Sequence, residues 1–200
     1  MKLENVAKKI LVGQIMTRTI AKEEAGEDVI ASCKVLSPKA IVSGRVVHKD
    51  LGEARLKKEV DSEKVTQVGD IVVKLATPYD SAVITEKEAG LVVPSFCVII
   101  RGINENIIDT VFLTAYLNTD YVVNQLKAKA AGTTMPMLKI GDIKEVEIPE
   151  LPLGKQKQLS EMYSLSCEKQ EVLQRMLDNE KELVRSLILK SVKGGIINEA

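Results

Sequence analysis

Short apolar runs separated by turn residues fill the first 150 positions and predict a strand-rich domain. Such runs are typical of strands whose side chains enter a core. The predicted strands are residues 41–47, 71–75, 82–84, 90–94 and 95–101. Pro94 separates the last two, because proline has no N–H group to donate to a neighbouring strand.

A helical spacing replaces the strand pattern over residues 109–129, where apolar residues recur every three or four positions. Asp109 or Thr110 is a suitable N-cap, and residues 118–120 divide the stretch into two short helices. A glycine-centred loop follows at 131–136, and then a predicted strand at 144–148. Pro149 and Pro152 bracket an extended linker, because the residue before a proline avoids the helical conformation.

One long helix is predicted from residue 155 to 193, where neither glycine nor proline occurs, and it ends at residues 194–195, a Gly-Gly pair. Its length would be about 57 Å at 1.5 Å per residue, which exceeds the expected width of the preceding domain. A stripe of positions at alternating spacings of three and four, called the seam below, predicts a coiled coil whose polar residues set register and partner. An alternative is a helix that folds back along its own domain. The apolar seam residues are Leu159, Met162, Leu173, Met176, Leu183 and Leu187, widened by Leu177, Val184 and Ile188, and the polar ones are Ser166, Lys169 and Glu180.

Composition favours a binding protein over an enzyme. A Ser-His-Asp triad or a histidine metal cluster would have to rest on the single histidine, His48, and no phosphate-binding or dinucleotide-binding glycine motif occurs. The three cysteines are widely spaced without a metal-ligand pattern, which suits a reducing cytoplasm. We expect neither a transmembrane helix nor a signal peptide, since no long apolar run is present.

The 28 basic and 28 acidic residues balance over the whole chain, but they are unevenly distributed. Residues 1–66 hold 13 basic and 10 acidic residues, whereas residues 67–150 hold 7 and 11. The densest basic stretch can be an ordinary solvated face, or the footprint of contacts to a phosphate backbone. It consists of Arg45, Lys49, Arg55, Lys57 and Lys58.

Six motifs, taken in order, resemble the specificity subunit of type I restriction-modification systems. They are GDIVV at 69–73, LATPYDSA at 75–82, GLVVPS at 90–95, FLTAYLN at 112–118, AGTTMP at 131–136, and IPELPL at 148–153 with Gln156. Each motif is weak alone, but their order, their spacing and the long helix after them make the combination specific.

The resemblance implies an α+β fold in which a β-rich target recognition domain with short helices occupies residues 1–152. The long helix at 153–194 would form an antiparallel coiled coil with a partner chain, and residues 195–200 would be a tail. Family members carry two such domains and two such helices, so this chain resembles a half-length form. A homodimer would then place one DNA-reading domain at each end of the paired helices, and its target would be an inverted repeat with an unread spacer.

The resemblance also implies a non-catalytic, sequence-specific DNA-binding subunit. It would direct a methyltransferase subunit, and with it a translocating nuclease (restriction) subunit, to a bipartite target in double-stranded DNA. No cofactor is expected on this chain, because S-adenosylmethionine would bind the methyltransferase partner. Neither a metal ion nor a membrane is expected to bind.

Three segments carry side chains of the types that read bases or hold phosphates. For each segment, an ordinary turn, a connection between elements or a solvated face is the alternative. The candidate DNA-binding residues are Thr77, Tyr79 and Ser81 in the first, Lys127, Lys129, Thr133 and Thr134 in the second, and Arg45, Lys49, Lys57 and Lys58 in the third. Arg18 and Arg101 are weaker candidates, more typical of arginines in structural ion pairs.

Two other classes of function remain open at this point. One is a coiled-coil adaptor whose β-rich head binds a protein. The other is a small nuclease or a methyltransferase fragment, in which Asp142 and Lys144 would form half of a metal site together with Asp120 or Asp80.

Overall fold

The computed structural model describes residues 1–21, 28–130 and 136–197, with side chains of the last helix described as far as residue 192. The α+β fold predicted from the sequence is confirmed. The strands are β1 (Ala7–Val12), β2 (Ala31–Val35), β3 (Ile41–Val42), β4 (Arg45–Val46), β5 (Gly52–Leu56), β6 (Ile71–Lys74), β7 (Ser81–Val83) and β8 (Cys97–Ile103). The α-helices are α1 (Thr110–Leu117), α2 (Asp120–Ala130), α3 (Ile140–Lys144) and α4 (Leu153–Ile197). No described helix has the length and apolarity needed to cross a membrane.

An antiparallel sheet of four strands, in the order β1-β8-β6-β7, organises the first part of the chain. Two further pairs, β2 with β5 and β3 with β4, form separate two-stranded sheets. The predicted strands at 71–75 and 95–101 correspond to β6 and β8, and the one at 82–84 to β7. Both β6 and β8 lie inside the sheet, which explains their nearly continuous apolar sequences.

The sheet separates two hydrophobic cores, because successive side chains of a strand point to opposite faces. Val73 and Val98 belong to the core that α1, α2 and α3 share, whereas Val72 and Ile99 belong to a second core. Residues from the segments around β3 and from 91–93 complete this second core.

Gly69 and Asp70 form a tight turn that leads into β6, and an ion pair between the buried Asp70 and the partly buried Arg101 closes it. Gly69 has φ +84°, a conformation that glycine adopts without strain, and Asp70 accepts a hydrogen bond from the Gln67 backbone N–H at 2.8 Å. Arg101 donates from Nε to Asp70 Oδ1 at 2.9 Å and from Nη2 to Oδ2 at 2.6 Å. These hydrogen bonds raise the pKa of Arg101 further. Arg101 therefore forms a structural ion pair, which is the role that the sequence analysis considered more typical of it than DNA binding.

Three predicted strands are wrong in detail. Residues 41–47 form the hairpin β3–β4, because Ser43 (φ 38°) and Gly44 (φ 95°) both take the left-handed conformation that a tight hairpin turn requires. Residues 90–94 make only isolated bridges, such as those from Val92 to Val35 and Val65. Residues 144–148 hold the end of α3 and one bridge from Glu147.

The helical predictions are closer to the structure. Asp109 caps α1 by accepting a hydrogen bond from the Phe112 backbone N–H at 2.9 Å, and the stretch 109–129 divides between α1 and α2 at residues 118–119. The long helix, α4, begins at Leu153 and continues past the Gly-Gly pair at 194–195, which was predicted to end it. The chain divides into two units, Met1–Tyr163 and Ser164–Ala200, and the first unit includes the beginning of α4.

Candidate functional site

Two of the motifs meet at one polar cluster within the first unit. The Asn118 side chain at the end of α1 accepts a hydrogen bond from the Ser81 backbone N–H at 2.9 Å. Its Nδ2 lies within hydrogen-bonding distance of the Ser81 carbonyl (3.0 Å), the Ser81 hydroxyl (2.9 Å) and the Tyr163 hydroxyl (3.2 Å). A Cβ atom on Gly44 would lie 2.4 Å from the Tyr163 hydroxyl oxygen, so this glycine permits the close approach of the tyrosine ring to the β3–β4 turn.

A second cluster joins α4 to the segment before α1. Gln156 is 1% exposed, and its Oε1 accepts a hydrogen bond from the Asp109 backbone N–H at 2.8 Å. Its Nε2 donates to the carbonyls of Ile107 and Leu151, and the Ser160 hydroxyl donates to Asp109 Oδ1. The three hydrogen bonds of the Gln156 side chain are thus all directed into the domain. The motif residues Ser81, Asn118 and Gln156 hold the first turns of α4 to the head.

Only one of the three candidate DNA-binding residues in the loop at 77–81 is exposed. Thr77 is exposed, but Tyr79 is 1% exposed and belongs to the core beneath α1–α3. Ser81 is 0% exposed and is held by Asn118. A fully buried ring and a fully buried hydroxyl do not face a ligand at the surface, so Tyr79 and Ser81 are removed from the candidate DNA-binding residues.

Exposed residues of three neighbouring segments surround the same end of the sheet. The Leu75 backbone N–H donates to the Phe96 carbonyl at 2.9 Å, and the Leu138 N–H donates to the Leu75 carbonyl at 2.8 Å. Phe96 is 55% exposed and Met137 is 46% exposed, although both are large and apolar. We call this the sheet-end surface; it consists of Thr77, Pro78, Phe96 and Met137. Phe96 was missed because it lies in an apolar run adjoining a strand, where a buried position is the usual outcome.

The second candidate segment is described only in part. Lys127 and Lys129, in the last turns of α2, are both exposed. Lys129 Nζ lies 3.2 Å from Glu145 Oε2 in a solvent-exposed ion pair, which contributes little to stability. Thr133 and Thr134 lie outside the described residues.

The basic stretch lies on and around β4 and β5. Lys49 and Lys58 are exposed, whereas Arg45 and Lys57 are half-buried. Within the described part of the chain, Arg45 Nε is buried without a hydrogen-bond partner. His48, in the same stretch, contacts a carboxylate: its Nε2 lies 2.5 Å from Oε1 of the buried Glu88.

The seam residues of α4 divide between the domain and solvent. Leu159 is half-buried and packs against the core beneath α1–α3. The other five apolar members are between 48 and 68% exposed, which is unusual for leucine and methionine. They are Met162, Leu173, Met176, Leu183 and Leu187.

The residues of the nuclease hypothesis do not converge. Asp142 and Lys144 lie on the short helix α3, two residues apart, where side chains do not face each other. Asp142 accepts a hydrogen bond from the Lys139 backbone N–H, and Asp80 Oδ2 pairs with the Lys74 ammonium at 2.7 Å. Within the ranges that the structure describes, no three histidine, cysteine or acidic side chains group as metal ligands do.

The sequence matches no protein-family model and no curated protein. The fold, however, is similar to that of the HsdS subunit from Thermoanaerobacter tengcongensis, with a TM-score of 0.63 and 21% sequence identity. A chain from a type I R-M system, whose structure addresses complex assembly and conformational transition, gives a TM-score of 0.62 and 20% identity. The alignments cover 88% and 91% of this chain but only 43% and 45% of those chains, so this chain spans less than half their length. At this level of identity the similarity establishes the fold.

Proposed function

We propose that this chain is a non-catalytic DNA-reading subunit of a type I restriction-modification system. The observation that carries the proposal is the fold similarity to the HsdS subunit, which extends over both the β-rich domain and α4. The six motifs point to the same class independently of the fold, and the structure gives Ser81, Asn118 and Gln156 a shared role in joining the domain to the helix.

The sheet-end surface and the end of α2 form the DNA-binding region in this proposal. The Thr77 hydroxyl can contact a base or a phosphate, and Lys127 and Lys129 can neutralise phosphates. Phe96 adds an exposed aromatic ring, which can pack against a thymine methyl group or a sugar. The basic residues Arg45, Lys49, Lys57 and Lys58 would contact the backbone farther along the duplex.

Two DNA-reading domains are needed for a bipartite target, and α4 supplies the means of pairing. The exposed seam has the character of a coiled-coil surface, so a second copy would cover it and bring a second domain. The assembly would direct a methyltransferase subunit and a restriction subunit to the target in the cytoplasm. S-adenosylmethionine would be bound by the methyltransferase.

Methylome sequencing of the source cell with and without this chain tests the proposal. We expect a methylated motif of two short specified halves separated by an unspecified spacer, and it should vanish when the gene is deleted. A matched strain carrying the gene with Lys127→Ala and Lys129→Ala should show reduced methylation of that same motif. An identical methylome with and without the chain would contradict the proposal.

The adaptor function is the second candidate, and the exposed Phe96 and Met137 favour it, because apolar surface residues are also typical of protein-binding sites. Salt separates the two functions. Binding to DNA weakens steeply as the salt concentration rises, whereas binding to a protein through an apolar surface changes little.

A further inference from the structure

The seam of α4 is complementary to itself in the order of its charged and apolar positions. Eight consecutive seam positions alternate in spacing between four and three residues, and all eight are exposed. Five are apolar and three are polar. They are Met162, Ser166, Lys169, Leu173, Met176, Glu180, Leu183 and Leu187.

An antiparallel pair of these helices has one register in which all eight positions find a seam partner. Each Leu173 then lies opposite Met176 of the second copy, and each Met162 lies opposite the other copy's Leu187. Ser166 falls opposite Leu183. The two charged positions, Lys169 and Glu180, fall opposite each other, and the two-fold symmetry produces this ion pair twice.

The neighbouring registers lose both ion pairs. A shift of one heptad places Lys169 opposite Leu187 or Leu173, depending on direction, and it places Glu180 opposite a methionine. A parallel pair in register would place lysine against lysine and glutamate against glutamate. A charge buried without a partner is costly, so the same two residues that stabilise one register destabilise the others.

We propose that α4 binds a second copy of this chain in the antiparallel register in which Lys169 of each copy pairs with Glu180 of the other. This inference rests on the proposed function, which already requires a second copy with a second DNA-reading domain, and it adds the register and the two residues that fix it. The two-fold axis then passes between residues 174 and 175. The exposed Leu165, Val172, Leu177 and Val184 flank the seam and widen the apolar contact.

Charge reversal tests the ion pairs in the full-length chain by analytical ultracentrifugation. Lys169→Glu or Glu180→Lys alone should raise the dimer dissociation constant about tenfold or more, because two attractions become two repulsions. The double variant Lys169→Glu/Glu180→Lys should return to within about threefold of the wild type, since the pairs are only exchanged. Equal parts of the two single variants should form a mixed dimer. Matched controls off the seam are Lys181→Glu and Glu182→Lys, which should leave dimerisation unchanged.

Spin labels measure the register directly. With Cys33 and Cys167 replaced by serine, cysteines at position 161 or 185 carry the labels, and the buried Cys97 stays unlabelled. Label separations along the axis should be about 40 Å at position 161 and about 32 Å at position 185. A shift of one heptad would lengthen one distance and shorten the other by about 10 Å, and a parallel pair would bring both labels within about 10 Å.

The outcomes separate this inference from the proposed function. A wild-type chain that stays monomeric at all concentrations, with an intact methylated motif in the cell, overturns the pairing and leaves DNA reading in place. A stable dimer that is indifferent to both single reversals, with circular dichroism confirming that the variants are folded, overturns the register. If no methylated motif depends on the chain, but the dimer responds to the charge reversals as expected, the proposed function is wrong and the register stands.

Discussion

At the scale of single residues, Glu88 is a buried carboxylate whose charge is held by hydrogen bonds. Burial raises its pKa, but hydrogen bonds from the Thr85 side chain and from His48, together with the Thr85 backbone N–H, outweigh that effect, so the pKa is lowered overall. A carboxyl whose pKa is lower in the folded state stabilises the fold above its ordinary pKa. That stabilisation is lost as the pH falls through the lowered value.

Replacement of this carboxylate tests the account. Glu88→Gln should reduce the free energy of unfolding by about 1–3 kcal/mol at neutral pH, because the charged acceptor of several hydrogen bonds is lost. The difference from the wild type should shrink as the pH falls through the lowered pKa of Glu88. Urea unfolding at several pH values measures both effects. The control is the exposed Glu86→Gln in the same short turn, and a Glu88 effect that does not change with pH would contradict the account.

The three cysteines differ in their surroundings and should differ in reactivity. Burial raises the pKa of Cys97 to about 12, an effect only partly offset by the nearby Lys74, and its side chain is 0% exposed. Cys33 and Cys167 are half-buried. Since the thiolate is the reactive form, a thiol reagent at pH 8 should modify two cysteines in the native protein and three after denaturation. Rapid labelling of a Cys33→Ser/Cys167→Ser variant under native conditions would refute this.

At the scale of elements, the Asn118 side chain connects the end of α1 to β7 and to α4. Asn118→Ala removes the donor at Nδ2 and the acceptor for the Ser81 N–H, and it leaves that buried N–H without its side-chain acceptor. We expect the free energy of unfolding to fall by about 1–3 kcal/mol. Urea unfolding measures the loss, and Asn124→Ala, on the exposed side of α2, is the matched control. Equal midpoints for the two variants would show that the cluster adds nothing to stability.

The elements that the sequence predicted well are those with one dominant pattern. Residues 71–75 and 95–101 are apolar on both faces because two cores enclose them, and the period of three to four in α1, α2 and α4 is unbroken. Strands β2 and β5 were missed because polar residues interrupt them and one face of each is exposed. Strand β1 was missed because Lys8 and Lys9 interrupt its short apolar run. The hairpin at 41–47 was taken for one strand because its turn, Ser43–Gly44, is only two residues long.

The candidate site was less predictable than the fold, for a physical reason. A motif does not show whether its side chains face solvent, so Thr77 and Tyr79 received the same role although one is exposed and the other is in the core. Conversely, Phe96 gave no signal, since an aromatic residue beside a strand is usually buried. Exposure of loop residues depends on contacts between distant segments, such as those of Leu75 with residues 96 and 138.

At the scale of the whole molecule, zero net charge limits non-specific attraction to DNA, so under the proposed function local lysines must account for the salt dependence of binding. For a duplex carrying the motif found by methylome sequencing, the slope of log K against log salt should be about 0.9 per phosphate neutralised. Lys127→Ala/Lys129→Ala should lower that slope by about two, measured by fluorescence anisotropy. Lys87→Ala, in an exposed turn away from α2, should leave the slope unchanged, and equal slopes for all variants would exclude the α2 lysines from the interface.

The close contact between Gly44 and Tyr163 determines where a chimera can be joined if the β-rich domain is to be replaced by that of another protein. The tyrosine comes from the helix and the glycine from the head, yet the space between them admits only a hydrogen atom. A chimera joined at residue 152 would pack a β-rich domain from another protein against the Tyr163 ring, and it would fold only if that domain has glycine at the position equivalent to Gly44. A junction after residue 163 transfers the glycine and the tyrosine together and is therefore the better choice.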